Sequence, residues 1–380
     1  MEKPVELSLK DEKTQRKSNL ELYRILVMLL IVAHHYVVNS GVTEAMYADP
    51  MSGNSIFLFL FGAWGKTGIN CFVLISGYFM CKSRITLTKF LKLIGEVLFY
   101  RIIINMVFCV TGYAQFSLRD LPGLLLPIKS VDTGFISCYL LFFLFIPFLN
   151  VLVQNLSEKQ HIYLMLLSLF AYSLMGSVPI FTVTMNYVSW FIVLYLIAAY
   201  IRLHPKVLFN KTVFWGWMTA MSVFASVLSV VVCAWLGEKI DREMAYFFLS
   251  DSNKVLAVLT AVCSFLFFKN VNLKQSKLIN TISATTFGVL LIHANSDAMR
   301  QWLWQDLLKV PDMYASPWLI VHAIGSVAGI FVVCSAVDIL RNNLVERLLL
   351  KLWDKCECKL VRVFRFVEAQ ICDRLHINQE

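Results

Sequence analysis

The chain has 380 residues, of which 58% are hydrophobic, 14% aromatic and only 16% charged, and its mean hydropathy is +0.67. Soluble domains carry about 25% charged residues, so a set of water-soluble domains, a disordered chain and a nucleic-acid binder all fit poorly, and lipid is the solvent that remains. The 34 Lys and Arg against 25 Asp and Glu give a formal charge of +9, read first as a topology signal because basic residues collect in loops that resist translocation.

In chain order, residues 1–18 form a polar, charged tail with no small-residue cleavage site before the first apolar run, so a removable signal peptide is not expected. A spanning helix needs roughly 20 mainly apolar residues. Ten stretches are predicted on that basis: 20–39, 56–80, 90–112, 134–153, 161–178, 186–203, 213–236, 253–269, 282–298 and 317–340. The expected fold is an all-α, polytopic membrane helix bundle of about ten transmembrane helices, with residues 19–340 as the membrane-embedded domain. Connections 40–55 and 179–185 carry no Lys or Arg, whereas 81–89, 204–212 and 270–281 are basic. That alternation predicts both termini on the cytoplasmic side. Residues 341–380 form a basic tail in which Val345, Leu348, Leu352, Cys356, Leu360, Val363, Val367 and Ile371 recur every three or four positions. This is the pattern of an amphipathic cytoplasmic helix lying on membrane lipid, or of one that pairs with a partner helix. Six of the ten cysteines sit in apolar runs and none has metal-site spacing, so neither a disulfide framework nor a metal is expected.

Charged side chains at membrane depth cost at least ~2.5 kcal/mol on insertion scales, so each calls for a reason. The first span holds Glu21, Arg24 and, eleven residues after Arg24, His35. At about 100° per residue these share one face, with roughly 16 Å of helical rise between Arg24 and His35. His34 points about 100° away from His35 on the same count. Glu21 and Arg24 as interface markers and His35 as a bundle hydrogen bonder would explain the pattern blandly. The functional reading is that an imidazole, with an ordinary pKa near neutrality, takes and returns a proton from a reacting hydroxyl. Arg24 then suits an anionic phosphate or a carbonyl oxygen.

The second span reads Gly65-Lys66-Thr67-Gly68-Ile69-Asn70 and runs on to Ser76-Gly77. Gly68 and Gly77 permit close helix approach, and Asn70 and Ser76 offer hydrogen bonds across helices or a lining for the acceptor route. The third span brings Lys89 and Lys92 at its start, then Glu96, Arg101 and Asn105. A Lys92–Glu96 pair at i,i+4 is expected. His293, followed by Asp297 at i+4 as an orienting carboxylate, is either a satisfied bundle histidine or a second acid/base.

The stretch from Asn19 to Tyr36, with Arg24 and His35 ten intervening residues apart, resembles the opening signature of the bacterial acyltransferase 3 family of integral-membrane O-acyltransferases. Gly68–Phe79 (GINCFVLISGYF), Ser137–Asn150 (SCYLLFFLFIPFLN) and Thr286–His293 (TFGVLLIH) are similar to further family segments. The resemblance implies transfer of an acyl group, usually acetyl, from cytoplasmic acyl-CoA to a hydroxyl of an envelope glycan or lipid-linked sugar in the bacterial cytoplasmic membrane, without a metal. It implies His35 as base and Arg24 as polar anchor toward the donor. Lys89, Lys92 and Arg101 become candidate CoA contacts, while Asn70, Ser76, Glu21 and His293 become candidates for substrate binding. Many members carry an arginine cluster after the second span, where this chain has Lys82, Arg84, Lys89 and Lys92. A glycan transporter or flippase without acyl transfer, and a membrane sensor or assembly factor without chemistry, fit the spans and intramembrane charges equally well, and the sequence is compatible with a homo-oligomer.

Overall fold

The computed structural model describes residues 17–346 except 84, 116, 129, 130 and 133. Among these residues every regular element is helical. In chain order the helices are α1 (Ser18–Val38), α2 (Thr43–Ala48), α3 (Gly53–Gly62), α4 (Gly65–Met80), α5 (Leu87–Val110), α6 (Leu121–Leu125), α7 (Phe135–Asn155) and α8 (Glu158–Leu169). A π turn (Phe170–Leu174) carries α8 into the short α9 (Met175–Ser177). There follow α10 (Tyr187–Leu203), α11 (Thr212–Ile240), α12 (Val255–Asn270), α13 (Lys277–Ala284), α14 (Thr286–His293), α15 (Asp297–Gln301) and α16 (Leu319–Arg341).

All ten predicted apolar stretches lie on helix, and six helical segments are long and apolar enough to cross a membrane. Helices α10 and α12 are apolar but only 17 and 16 residues long. The stretch from Glu158 opens on Glu158, Lys159, Gln160 and His161, and Ser157 with Gln160 closes a capping box there. One expectation changes. The predicted ninth span, 282–298, is not one helix: α14 ends at His293, and the chain resumes at Asp297 in a direction bent by 97°. The expected C-terminal amphipathic helix lies outside the described residues from 347 onward.

Helix α1 is the hub. It packs against α3, α4, α12, α13, α14 and α16, and α4 in turn packs against α10 and α12. Leu20, Val27, Met28, Val32 and Tyr36 of α1 are buried in this contact. Close approach depends on missing side chains: a Cβ on Gly68 would sit 2.7 Å from Ile31 Cγ1. The outer faces of α7, α11 and α16 instead present Phe148, Trp217, Phe224 and Val332 outward, a surface that suits hydrocarbon and not water. This is a polytopic helical membrane protein.

Three long-range bonds set the relative directions. Ser18 Oγ donates to Asn280 and Ser283 Oγ donates to Glu21, so α1 and the α13–α14 pair run parallel. Tyr36 meets His322 near the start of α16, so α1 and α16 run antiparallel. The bundle therefore has one end that carries Ser18 and Arg341, and an opposite end that carries His35, His293 and His322.

Candidate active site

The stripe expected on α1 exists, but its members meet different neighbours. Glu21 is buried and accepts from Ser283 Oγ at 2.5 Å. Arg24 lies 3.7 Å from Glu21 and its guanidinium stands over the Phe72 ring, 5.8 Å from the centroid. Arg24 Nε is buried and has no acceptor. Three turns farther on, near the opposite end, His35 borders a cavity of about 390 Å³.

The hydrogen bonds of His35 decide what it can do. His293 Nδ1 lies 2.6 Å from the Val289 carbonyl, one turn back in α14. A carbonyl only accepts, so Nδ1 of His293 carries the proton, and in the neutral ring Nε2 is an acceptor. That Nε2 lies 2.9 Å from His35 Nδ1. His35 Nδ1–H therefore donates to His293, and the lone pair of neutral His35 is on Nε2. No hydrogen bond engages Nε2 among the described residues, so the basic atom is the one left for the cavity. The expected orienting role of Asp297 is not what the structure shows. The break after His293 removes the i+4 relation, and Asp297 pairs with Arg300 at 3.0 Å instead.

His34 is also turned to this cavity, although the helical count separates it from His35. Its Nδ1–H donates to the Gly62 carbonyl at 2.6 Å. The ring packs directly over Gly65, where a Cβ would lie 2.1 Å from His34 Cγ. The absence of a side chain at Gly65 is what gives His34 its place.

Opposite these rings, Lys66 and Tyr187 contribute to the same lining. Lys66 Nζ donates to the Tyr187 hydroxyl at 2.7 Å, that hydroxyl donates to Asp251 at 3.2 Å, and Lys66 lies 3.7 Å from Asp251. Arg101 reaches the cavity from α5, its guanidinium held by the carbonyls of Leu126 and Gly123 at 2.9 and 2.8 Å. Arg101 is thus apart from Lys89 and Lys92, with which it was grouped as a donor contact.

Asn70 and Ser76 do not border the cavity. Asn70 donates to the Ser252 carbonyl at 2.6 Å and accepts from Trp190 Nε1 at 2.8 Å. Ser76 donates to the Phe72 carbonyl and accepts from the Tyr139 hydroxyl at 3.2 Å. Both tie α4 to its neighbours and have little left for a ligand.

A second hollow of about 630 Å³ opens at the Ser18–Arg341 end, bordered by Lys89, Lys92, Tyr139, Arg341 and Glu346. The predicted Lys92–Glu96 pair is replaced by longer-range partners: Lys92 meets Glu346 at 3.4 Å and Glu96 meets Arg341 at 3.1 Å. Fully buried Asp338 accepts from the Tyr100 hydroxyl at 2.6 Å, Arg341 Nε at 2.8 Å and Asn342 at 3.0 Å. One aromatic layer separates the two hollows. Tyr139 borders the lower, Phe72 and Phe135 border the upper, and the Phe135 and Tyr139 rings stack at 5.6 Å.

Sequence reasoning passed over Lys66, Tyr187, Asp251, Asp338 and Arg341. Asp338 and Arg341 carried the signal that singled out Arg24, since Asp338 is an acid inside an apolar run. Lys66 stood in a quoted stretch, but its partners are 121 and 185 residues away, as its bonds to Tyr187 and Asp251 show.

Comparison with known proteins adds one match. The family model described as an acyltransferase domain matches residues 17–338, which takes in the whole lining of the His35 cavity and every helix from α1 into α16. No curated protein and no solved structure matches the chain.

Proposed function

This chain belongs to the acyltransferase 3 family, and from that premise we propose that it moves an acyl group, acetyl in the simplest case, from acyl-CoA to an acceptor hydroxyl, with His35 as the base. The observation that carries the reading is the relay from the Val289 carbonyl through His293 to His35, which leaves a bare ring nitrogen beside a cavity.

The chemistry follows from that atom. The acceptor hydroxyl attacks the thioester carbonyl carbon while His35 Nε2 takes its proton. A C–O bond forms, and the carbonyl electron pair moves onto oxygen. Lys66, positioned by Tyr187 and Asp251, and the guanidinium of Arg101 are the donors available to this oxyanion. When the intermediate collapses, the C–S bond breaks, the sulfur takes the proton back from His35, and free CoA leaves with the ester behind. As His35 becomes cationic, His293 Nε2 accepts from its Nδ1–H and holds the ring in place.

The donor's phosphates belong at the Ser18–Arg341 end, where Lys89 and Lys92 border the second hollow. An extended thiol arm from there must pass the Tyr139–Phe135–Phe72 layer. Arg24 stands beside that layer with a buried, unsatisfied Nε–H, the group that an amide carbonyl of the arm would satisfy. The end bearing Ser18 then faces the cytoplasm of a bacterial inner membrane, and the acceptor, an envelope glycan or lipid-linked sugar, meets the acyl group at the other end.

The test is CoA release. Purified protein supplied with acetyl-CoA and a crude envelope glycan should liberate free thiol, and His35→Ala should slow this by about 10²–10⁴-fold while membrane insertion stays normal. A flippase would release no thiol in either form. Equal thiol release by the His35→Ala protein would remove His35 from the reaction.

A further inference from the structure

Beyond the His35 cavity lies a further hollow, of about 610 Å³, that shares Arg101 and Asn295 with it. It is at the end of the bundle away from Ser18 and Arg341, between the last turns of α5, the connection that follows, and the break after α14. That break supplies part of the wall: Asn295 donates its amide N–H to the Leu291 carbonyl at 2.9 Å, which leaves Oδ1 as a free acceptor. Asn105, Gln115 and Arg119 add further polar groups. The connection carrying Gln115 and Arg119 is tied to the segment after α15, because Tyr113 donates to Asp306; that bond, to a carboxylate, pushes the phenol up to about 12.

Charge gives the direction. Among the described residues, the cationic lining across the two joined hollows is Lys66, Arg101, Arg119 and Arg300, and the acidic lining is Asp297 alone. Asp297 is paired with Arg300, and Lys66 is paired with Asp251 from behind. Arg101 is held by two carbonyls, which orient it and leave its charge uncompensated. No carboxylate pairs with Arg101 or Arg119 among the described residues. Such a lining costs energy beside lipid and draws in anions.

We propose that this hollow is an acceptor subsite for an anionic, hydroxyl-rich ligand: a sugar unit bearing a carboxylate or a phosphate. The anionic group meets Arg119 and Arg101, the amides of Asn105, Gln115 and Asn295 meet hydroxyls, and one hydroxyl of the same ligand extends past Arg101 toward His35. The subsite rests on the acyl-transfer reading for its purpose, but its binding chemistry stands on its own lining.

Titration calorimetry of the full-length detergent-solubilised protein tests it with three probes: methyl glucoside, methyl glucuronoside and methyl glucoside 6-phosphate. Both anionic probes should bind at least tenfold tighter than the neutral one, and Arg119→Ala should bring all three within about twofold. Arg119 is exposed, so the variant keeps its fold. If the carboxylate probe alone shows the advantage, a uronate is the ligand class; if the phosphate probe alone does, a phosphosugar is. Equal affinity for all three, no binding of any, or an advantage that survives Arg119→Ala would overturn the proposal. His35→Ala separates the two readings: it should keep the anion preference and lose CoA release, whereas retained CoA release would sink the catalytic reading and leave the subsite intact.

Discussion

The two ends of the bundle hold polar groups against lipid in opposite ways. At the Ser18–Arg341 end, Asp338, Arg341, Glu96, Tyr100 and Asn342 saturate one another, and fully buried Asp338 accepts three hydrogen bonds. At the other end the rings of His34, His35 and His293 are held by backbone carbonyls and by each other, and among the described residues His34 and His35 each keep one nitrogen free beside a hollow. An intramembrane charge with every valence filled is a fastener. A polar ring with one atom left over is a reagent. Depth in the membrane does not separate the two; the hydrogen-bond inventory does.

The comparison is broken most easily where the closed network is opened. Asp338→Ala leaves the buried Tyr100 hydroxyl without its acceptor and takes from Arg341 one of its carboxylate partners, and losing one partner of a buried ion pair costs about 3–5 kcal/mol. Thermal unfolding in detergent should show a large drop or no folded protein at all, and an unchanged midpoint would mean the network is not a fastener. The open end should respond in rate and not in fold. His293→Phe removes the acceptor for His35 Nδ1–H and frees the ring to rotate. The turnover number should fall roughly 10–100-fold, a part of the 10²–10⁴ that general-base catalysis supplies, with the unfolding midpoint held near that of the parent. His293→Gln, whose side-chain oxygen can accept the same proton, should recover part of the loss, and a change in donor KM alone would assign His293 to binding. The smallest effect belongs to Lys92 and Glu346, whose side chains are 45% and 31% exposed. Because Glu346 also meets Arg341 at 3.4 Å, Lys92 is the residue to change: Lys92→Gln should move stability by less than about 1 kcal/mol, as solvated pairs do, and a larger shift in the same unfolding assay would contradict that.

Much of this was legible in the sequence because its causes are local. Ten apolar stretches become helix because lipid leaves the backbone no other way to satisfy itself, and the eleven-residue offset of Arg24 and His35 puts both on one face by helical geometry. What stayed hidden depends on residues far apart in the chain. His293 meets His35 across 258 positions, and Asn70 and Ser76 look free until Trp190, Ser252 and Tyr139 arrive from other helices. The Lys92–Glu96 spacing is sound for an isolated helix, but Arg341 and Glu346 offer each residue another partner. The break at Ala294-Asn295-Ser296 carries neither Pro nor Gly, and its one local signal, Ser296 as the N-cap of α15, sits inside an otherwise continuous apolar stretch. His34 was discounted on angle alone, because the count around α1 ignores the space that Gly65 leaves on the facing helix.

The central claim concerns one proton on one ring. In protein labelled with nitrogen-15 at histidine, the ring nitrogen shifts of His35, assigned by comparison with His35→Ala, report which nitrogen is bare at neutral pH. The relay through Val289 and His293 predicts a proton on Nδ1 and a lone pair on Nε2. A proton on Nε2 with Nδ1 bare would leave nothing to take the acceptor's proton, and His35 could not be the base.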